Sequence, residues 1–266
     1  MLDIMSQARD SINAYNAALT IHSANIANMS VPGYKRLDVS FQTVFERVQK
    51  QGTAASTFAN LGGTNPQQLG QGTAVSNVKV DFTSGAYAES QAINLGINGS
   101  GLFIVSPDGG ASYLYSRSGK FSMINGNLIN DTGMQVYGLD SSGSLVPITG
   151  LPGSETDYSW SSSGELFYQG STSGFRIALT SFSNPGGLQQ AQGTSFAETM
   201  ASGPAATPMA SGGTYGAVLP GQLEQSNVFY LGESLDSLEV QRAINANLSV
   251  VRMASDLISS FISKLG

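Results

Sequence analysis

Near the start of the chain, Met5, Ala8, Ile12, Tyr15, Leu19, His22, Ile26 and Met29 follow one another at alternating spacings of three and four residues. That is the heptad pattern of a helix with one narrow contact seam. Residues 3–29 contain no Gly or Pro, so the pattern predicts a single helix of about 27 residues, roughly 40 Å long at 1.5 Å per residue. Pro32-Gly33 then stops it.

A second helix is predicted from about Val228 to Leu265, with Leu231, Leu235 and Leu238, then Ile244, Leu248, Val251, Ile258, Ile262 and Leu265 at helical spacing. Gln241-Arg242 interrupts this seam, and the register shifts there by about one residue, as at a stutter or stammer. Each helix alone would expose an apolar stripe, the mark of an interaction surface. The two ends are therefore expected to pair as a coiled coil.

Between the helices the apolar runs are short: Ile93 to Ile97, Leu102 to Val105, Ser112 to Tyr115, Gln135 to Tyr137 and Phe175 to Thr180. Asp108-Gly109, Asn125-Gly126, Ser142-Gly143 and Ser163-Gly164 punctuate them, which predicts antiparallel hairpins in a sandwich or barrel-like domain. Gln51 to Thr73 and Thr199 to Gly221 have no clear period and read as extended connectors. The expected class is α+β. Residues 1–33 and 226–266 would form the helical domain, 34–85 and 200–225 the connectors, and 86–199 a central β-rich domain.

Composition sharpens these boundaries. Of 32 Gly, 28 lie between residues 51 and 220, and that stretch carries only 13 of the chain's 30 charged side chains. A net charge of −6 without any Lys/Arg block argues against nucleic-acid binding. With no Cys in 266 residues, disulfides, thiolate metal sites and cysteine nucleophiles are all excluded. The N-terminus lacks a basic segment followed by an apolar core, and no run of 18 apolar residues occurs. The expectation is a chain that neither inserts in a membrane nor carries a cleaved signal peptide.

The search for catalytic chemistry returns little. His22 is the sole imidazole and lies in the seam, where a hydrogen-bonded packing role is expected, with a pH-sensitive contact as the alternative. The carboxylates of the middle region are scattered, and the one close pair, Glu155 and Asp157, reads as a solvated turn rather than a cation site. Gly70-Gln71-Gly72 and Gly99-Ser100-Gly101 lack the Lys and the following helix of a phosphate loop. No Gly-x-Ser-x-Gly elbow occurs. No cofactor, metal or enzymatic activity is expected.

The segment Asn25-Ile26-Ala27-Asn28-Met29-Ser30-Val31-Pro32-Gly33-Tyr34-Lys35-Arg36 resembles the signature of bacterial flagellar rod and hook proteins, in which an Asn-x-x-Asn helix end leads into a Pro-Gly-aromatic-Lys turn. In physical terms Asn25 and Asn28 can satisfy backbone groups where the helix ends, and Pro32-Gly33 redirects the chain. Further segments resemble the same family: Gly62 to Gly72; Asn94 to Val105, with Leu102 where Phe is usual; Tyr115 to Phe121 with Asn125 to Leu128; and Gly221 to Val228 followed by Gln241-Arg242-Ala243. Leu151 to Thr214 has no counterpart among them.

The resemblance implies a structural subunit that leaves the cytoplasm through the flagellar type III export apparatus and self-associates, with other rod and hook proteins, into a hollow helical axis of the basal body or hook. The terminal helices would form the inner tube and the β-rich domain would lie outside it. Tyr34, Lys35 and Arg36 are expected at subunit contacts, or else in a plain surface turn. Hook proteins commonly carry an extra outer domain for which this length leaves little room, so the distal rod is placed ahead of the hook. Two other readings are a secreted wall-remodelling enzyme or adhesin, which needs a carboxylate cluster in a cleft, and a phage-tail-like tube protein, which leaves the N-terminal motif unexplained.

Overall fold

The computed structural model describes residues 2–43, 47–50, 67–69, 72–212 and 215–265. The chain divides into two units, one made of Met1–Ala24, Asp38–Val78 and Leu231–Gly266, the other of Asn25–Leu37 and Lys79–Tyr230. The fold is α+β, with one long helix near each end and an antiparallel β-rich middle.

Helix α1 spans Leu2–Ala27 and helix α2 spans Tyr230–Leu265. α1 ends by tightening, as the Asn28 and Met29 amides donate to the Asn25 and Ile26 carbonyls at 3.2 and 3.3 Å. In the first unit α1 and α2 run antiparallel. His22 of α1 meets Glu233 of α2, whereas Met5, Ser6, Arg9 and Ile12 share a groove of about 460 Å³ with Leu248 and Val251. Two strand pairs accompany the helices: Leu37–Thr43 with Thr73–Val80, and Arg47–Lys50 with Gln67–Leu69. Phe41 places its ring 5.5 Å from Tyr15, and the Thr73 amide donates to Ser11 Oγ at 3.3 Å. Most of the expected connector Gln51 to Thr73, and with it most of the Gly62 to Gly72 motif, falls outside the described residues.

The second unit is built on an antiparallel sheet of twelve strands among the described residues. At its centre Leu102–Ser106 pairs with Gln135–Leu139 on one side and Leu114–Ser116 on the other, with Phe103 opposite Ser116 and Val136 opposite Val105. This strand is apolar at successive positions because both of its faces are covered. Phe103 and Val105 enter one core with Ile97, Phe121, Leu128 and Trp160. Leu102 and Ile104 enter another with Tyr115, Phe182 and Phe196. Strict alternation would have left one face to water.

The turn signals fall where the sequence predicts them. Asn125 and Gly126 have φ of 52° and 74° and join Phe121–Ile124 to Asn127–Asn130 as a two-residue hairpin, since both central positions need positive φ. The expected connector Thr199 to Gly221 is different. Its strand Ala217–Pro220 pairs with Leu95–Asn98, Met209 forms a bridge with Leu179, and Gln222–Glu224 pairs with Tyr87–Glu89. These strands have three or four residues and abut Gly216, Pro220 and Gly221, so no period could build up in the sequence.

Candidate assembly site

The motif turn that follows α1 is an interior feature. Asn25 is fully buried, and its side chain spans the backbone of Leu37: Nδ2 donates to the Leu37 carbonyl at 2.9 Å, and Oδ1 accepts from the Leu37 amide at 2.9 Å and from Tyr34 Oη at 3.2 Å. The sequence-based role for Asn25, backbone satisfaction at the helix end, is thus directed at the chain after the turn. Gly33 has φ of +72°, and a Cβ there would run into the Ser118 backbone. Its amide donates to the Glu224 carbonyl at 2.7 Å.

Lys35 follows into the same interior. Its Nζ donates to Glu224 Oε1 and to the Thr83 carbonyl, both at 2.7 Å, and neither the Lys35 nor the Glu224 side chain is exposed. Glu224 Oε2 accepts from Arg117 Nε at 2.6 Å, and Oε1 also accepts from the Gly85 amide at 3.0 Å. The rest of the Arg117 guanidinium is held by the carbonyls of Ile97, Gly99 and Gly101. Two cations therefore share one carboxylate, and the excess positive charge is met by carbonyl dipoles. Burial pushes the Lys35 ammonium below its ordinary value of 10.5, against the pull of Glu224.

These positions correct one expectation. Tyr34 and Lys35 are 3% and 1% exposed, so their side chains do not stand in an open surface turn. Arg36 is half-buried, its amide donating to Asn227 Oδ1 at 2.7 Å and its guanidinium 3.7 Å from Asp81. The sequence did not reveal the cause, because Lys35, Arg117 and Glu224 lie in three separate motif segments and only the fold brings them together.

On α1, Ala8 and His22 are buried and Met5, Ile12, Tyr15, Leu19 and Ile26 are half-buried, while Met29, just past its end, is exposed. The residues most fully covered also include Ser11, Ala14 and Ala18, small side chains outside the predicted seam. On α2 the offset is larger. Ile244, Val251 and Ile258 are half-buried, but Leu231, Leu235, Leu238, Leu248 and Ile262 are exposed, and the Leu265 side chain falls outside the described residues. Glu233, Val240 and Ala254 are the buried α2 residues. The covered line in the first part of α2 thus runs two residues after the predicted one, because it includes Glu233, which hydropathy alone assigns to the surface. Leu231, Leu235 and Leu238 share one exposed face of α2, and Met253, Leu257, Phe261 and Ile262 are exposed further along it.

In the second unit a groove of about 530 Å³ is lined by residues including Phe82, Ser84, Ser100, Arg117 and Phe182. No carboxylate or imidazole is among its lining residues, and Arg117 is engaged by Glu224 and backbone carbonyls. Among the described residues no group of three or more His, Asp or Glu side chains is placed to hold a metal ion. No helix among them is long and apolar enough to cross a membrane.

No protein-family model matches the chain. It is 28% identical over 257 residues to the flagellar basal-body rod protein FlgG of Bacillus subtilis strain 168, covering 94% of each chain. It is 29% identical over 269 residues to the FlgG of Agrobacterium fabrum, covering 97% of each. The flagellar hook protein FlgE of Helicobacter mustelae is 33% identical over 129 residues, which are 48% of this chain and 28% of that protein. The chain is thus similar to flagellar rod proteins along nearly their whole length and to hook proteins over part of theirs.

Proposed function

We propose that this chain is a structural subunit of the flagellar axial structure, of the rod kind, and that it polymerises through its helical ends into a hollow tube. The observation that carries the reading is the number of apolar side chains that α2 leaves exposed, Leu231, Leu235 and Leu238 in one row and Leu257, Phe261 and Ile262 near its end. Apolar surface of that extent left to water gives a strong drive to association, at roughly 25 cal/mol per Å² buried. A heterologous contact that does not close then yields a helical polymer.

In this reading the helical ends, 1–33 and 226–266, pair as a coiled coil and line the tube. The β-rich domain faces outward, and residues 34–85 and 200–225 link the two. The rod is favoured over the hook because FlgG relatives are matched over 94% and 97% of their own length, against 28% for the hook protein. The subunit would reach the basal body through the flagellar type III export apparatus and there meet other rod and hook proteins. The relatives are structural proteins, which favours assembly over the wall-remodelling reading. Electron microscopy of the purified chain at rising concentration, together with a wall-hydrolysis assay, tests the proposal: tubes without turnover are expected, and a stable monomer with turnover would overturn it.

A further inference from the structure

We propose that the last turns of α2 dock on the exposed leucines at the start of α2 in a second copy, so that the helical unit carries both halves of a head-to-tail contact. The inference rests on the reading that the chain assembles through its helical ends.

The two helices differ in length, and their antiparallel pairing leaves one overhanging. His22 of α1 meets Glu233 of α2 at 2.7 Å. Leu2, where α1 starts, lies twenty residues before His22, and Met253 lies twenty residues after Glu233. With the same rise per residue in both helices, the start of α1 is level with Met253 and Ala254. Burial agrees, since Ala254 is the last buried residue of α2 among those described. From there to Leu265 the helix runs on past α1 for roughly 17 Å at 1.5 Å per residue.

The overhang continues the face that α1 covers. Glu233, Val240 and Ala254 are buried and stand at multiples of seven residues, and Phe261 is the next step on that line. Ala254, Leu257, Ile258, Phe261 and Ile262 recur at i, i+3, i+4, i+7 and i+8, one apolar stripe of a helix. The stripe begins buried at Ala254 and ends with Phe261 and Ile262 61% and 67% exposed. Asp256, two residues from both Ala254 and Ile258, falls on the opposite side of the helix. A stripe that packs on a helix up to Ala254 is shaped for a further apolar helical surface beyond it.

A second copy supplies that surface. Leu231, Leu235 and Leu238 share one exposed face at the start of α2. Leu235 and Phe261 are 26 residues apart, roughly 39 Å along one continuous helix, so the two patches of a single chain cannot meet. Between copies they can. Pairing overhang with overhang across a two-fold axis would close at a dimer and leave the leucines in water, whereas two different patches make a contact that repeats without closing.

The chain contains no Cys, so single introduced cysteines report the contact without background. Full-length F261C is mixed with full-length L235C carrying a tag that changes its size, oxidised in air and run on a non-reducing gel. L231C and L238C are neighbouring acceptors, and A111C, exposed in the second unit, is the control. The mixed dimer with a leucine-position variant should exceed that with A111C by about tenfold, because docking raises the effective concentration of the two thiols. I262D added to the F261C chain should remove the excess with helix content unchanged on circular dichroism. The proposal is overturned if F261C joins mainly to itself, if no leucine position exceeds the control, or if I262D leaves the excess in place. Electron microscopy of the parent chain is read separately: tubes without the mixed dimer sink this contact and leave the assembly reading standing, whereas the mixed dimer without tubes supports the contact and counts against the tube.

Discussion

Lys35 Nζ lies 2.7 Å from Glu224 Oε1, with neither side chain reaching solvent. The pair ties the turn after α1 to the segment that leads into α2, 189 residues later. The signature turn is thus held by buried bonds within the chain.

Glu224→Gln leaves Lys35 and Arg117 without their shared anion. Breaking a fully buried pair of this kind costs about 3–5 kcal/mol. Urea unfolding followed by the fluorescence of Trp160, the sole tryptophan and a core residue of the second unit, should show a loss of that size. A loss below about 1 kcal/mol, the level of an exposed pair, would contradict the account.

Asn25 and Tyr34 should rank in a definite order. Tyr34→Phe removes one hydroxyl from Asn25 Oδ1 and is expected to cost about 0.5–1.5 kcal/mol. Asn25→Ala strips side-chain partners from both the amide and the carbonyl of Leu37, a penalty of about 1–3 kcal/mol for each group left buried and unsatisfied. Equal effects in thermal unfolding would show that Asn25 does not hold the turn.

The β-rich unit should lose stability in acid. Hydrogen bonds from the Ser142 hydroxyl and the Ser144 amide hold the Asp140 carboxylate below its ordinary 3.8, and bonds from Ser112 and Ser154 do the same for Asp108 and Asp157. A carboxylate more acidic when folded than unfolded adds stability that is fully present above pH 3.8 and lost as pH falls through its folded value. Asp140→Asn keeps an acceptor and drops the charge. Its urea midpoint should lie below the parent's at pH 7, and the gap should close in stronger acid. A gap independent of pH would rule out this linkage.

The exposed row separates folding from assembly. Leu235 is 57% exposed, so Leu235→Asp should leave helix content within measurement of the parent and the Trp160 unfolding transition in place. It should abolish sedimentable polymer. Normal polymer from this variant would remove the α2 row from the interface.

Much of this fold is legible in the sequence, since its strongest signals are local and periodic. The heptads give both helices, the first of them free of Gly and Pro, the unbroken Leu102-Phe103-Ile104-Val105 run gives a strand covered on two faces, and Asn125-Gly126 gives its hairpin. The site is less legible. Lys35, Arg117 and Glu224 have no local relation, and a buried Glu such as Glu224 or Glu233 reads as surface until its cation or imidazole is placed beside it. Ala217–Pro220 was hidden for a related reason: a four-residue strand between Gly216 and Gly221 is defined by its partner Leu95–Asn98 rather than by its own pattern.

The central claim is assembly through the helical ends, and its most direct test is negative-stain electron microscopy of the purified full chain over a concentration series. The account predicts hollow tubes of uniform diameter above a threshold concentration, with monomer below it. A chain that stays monomeric at every concentration, by microscopy and by sedimentation, would contradict it.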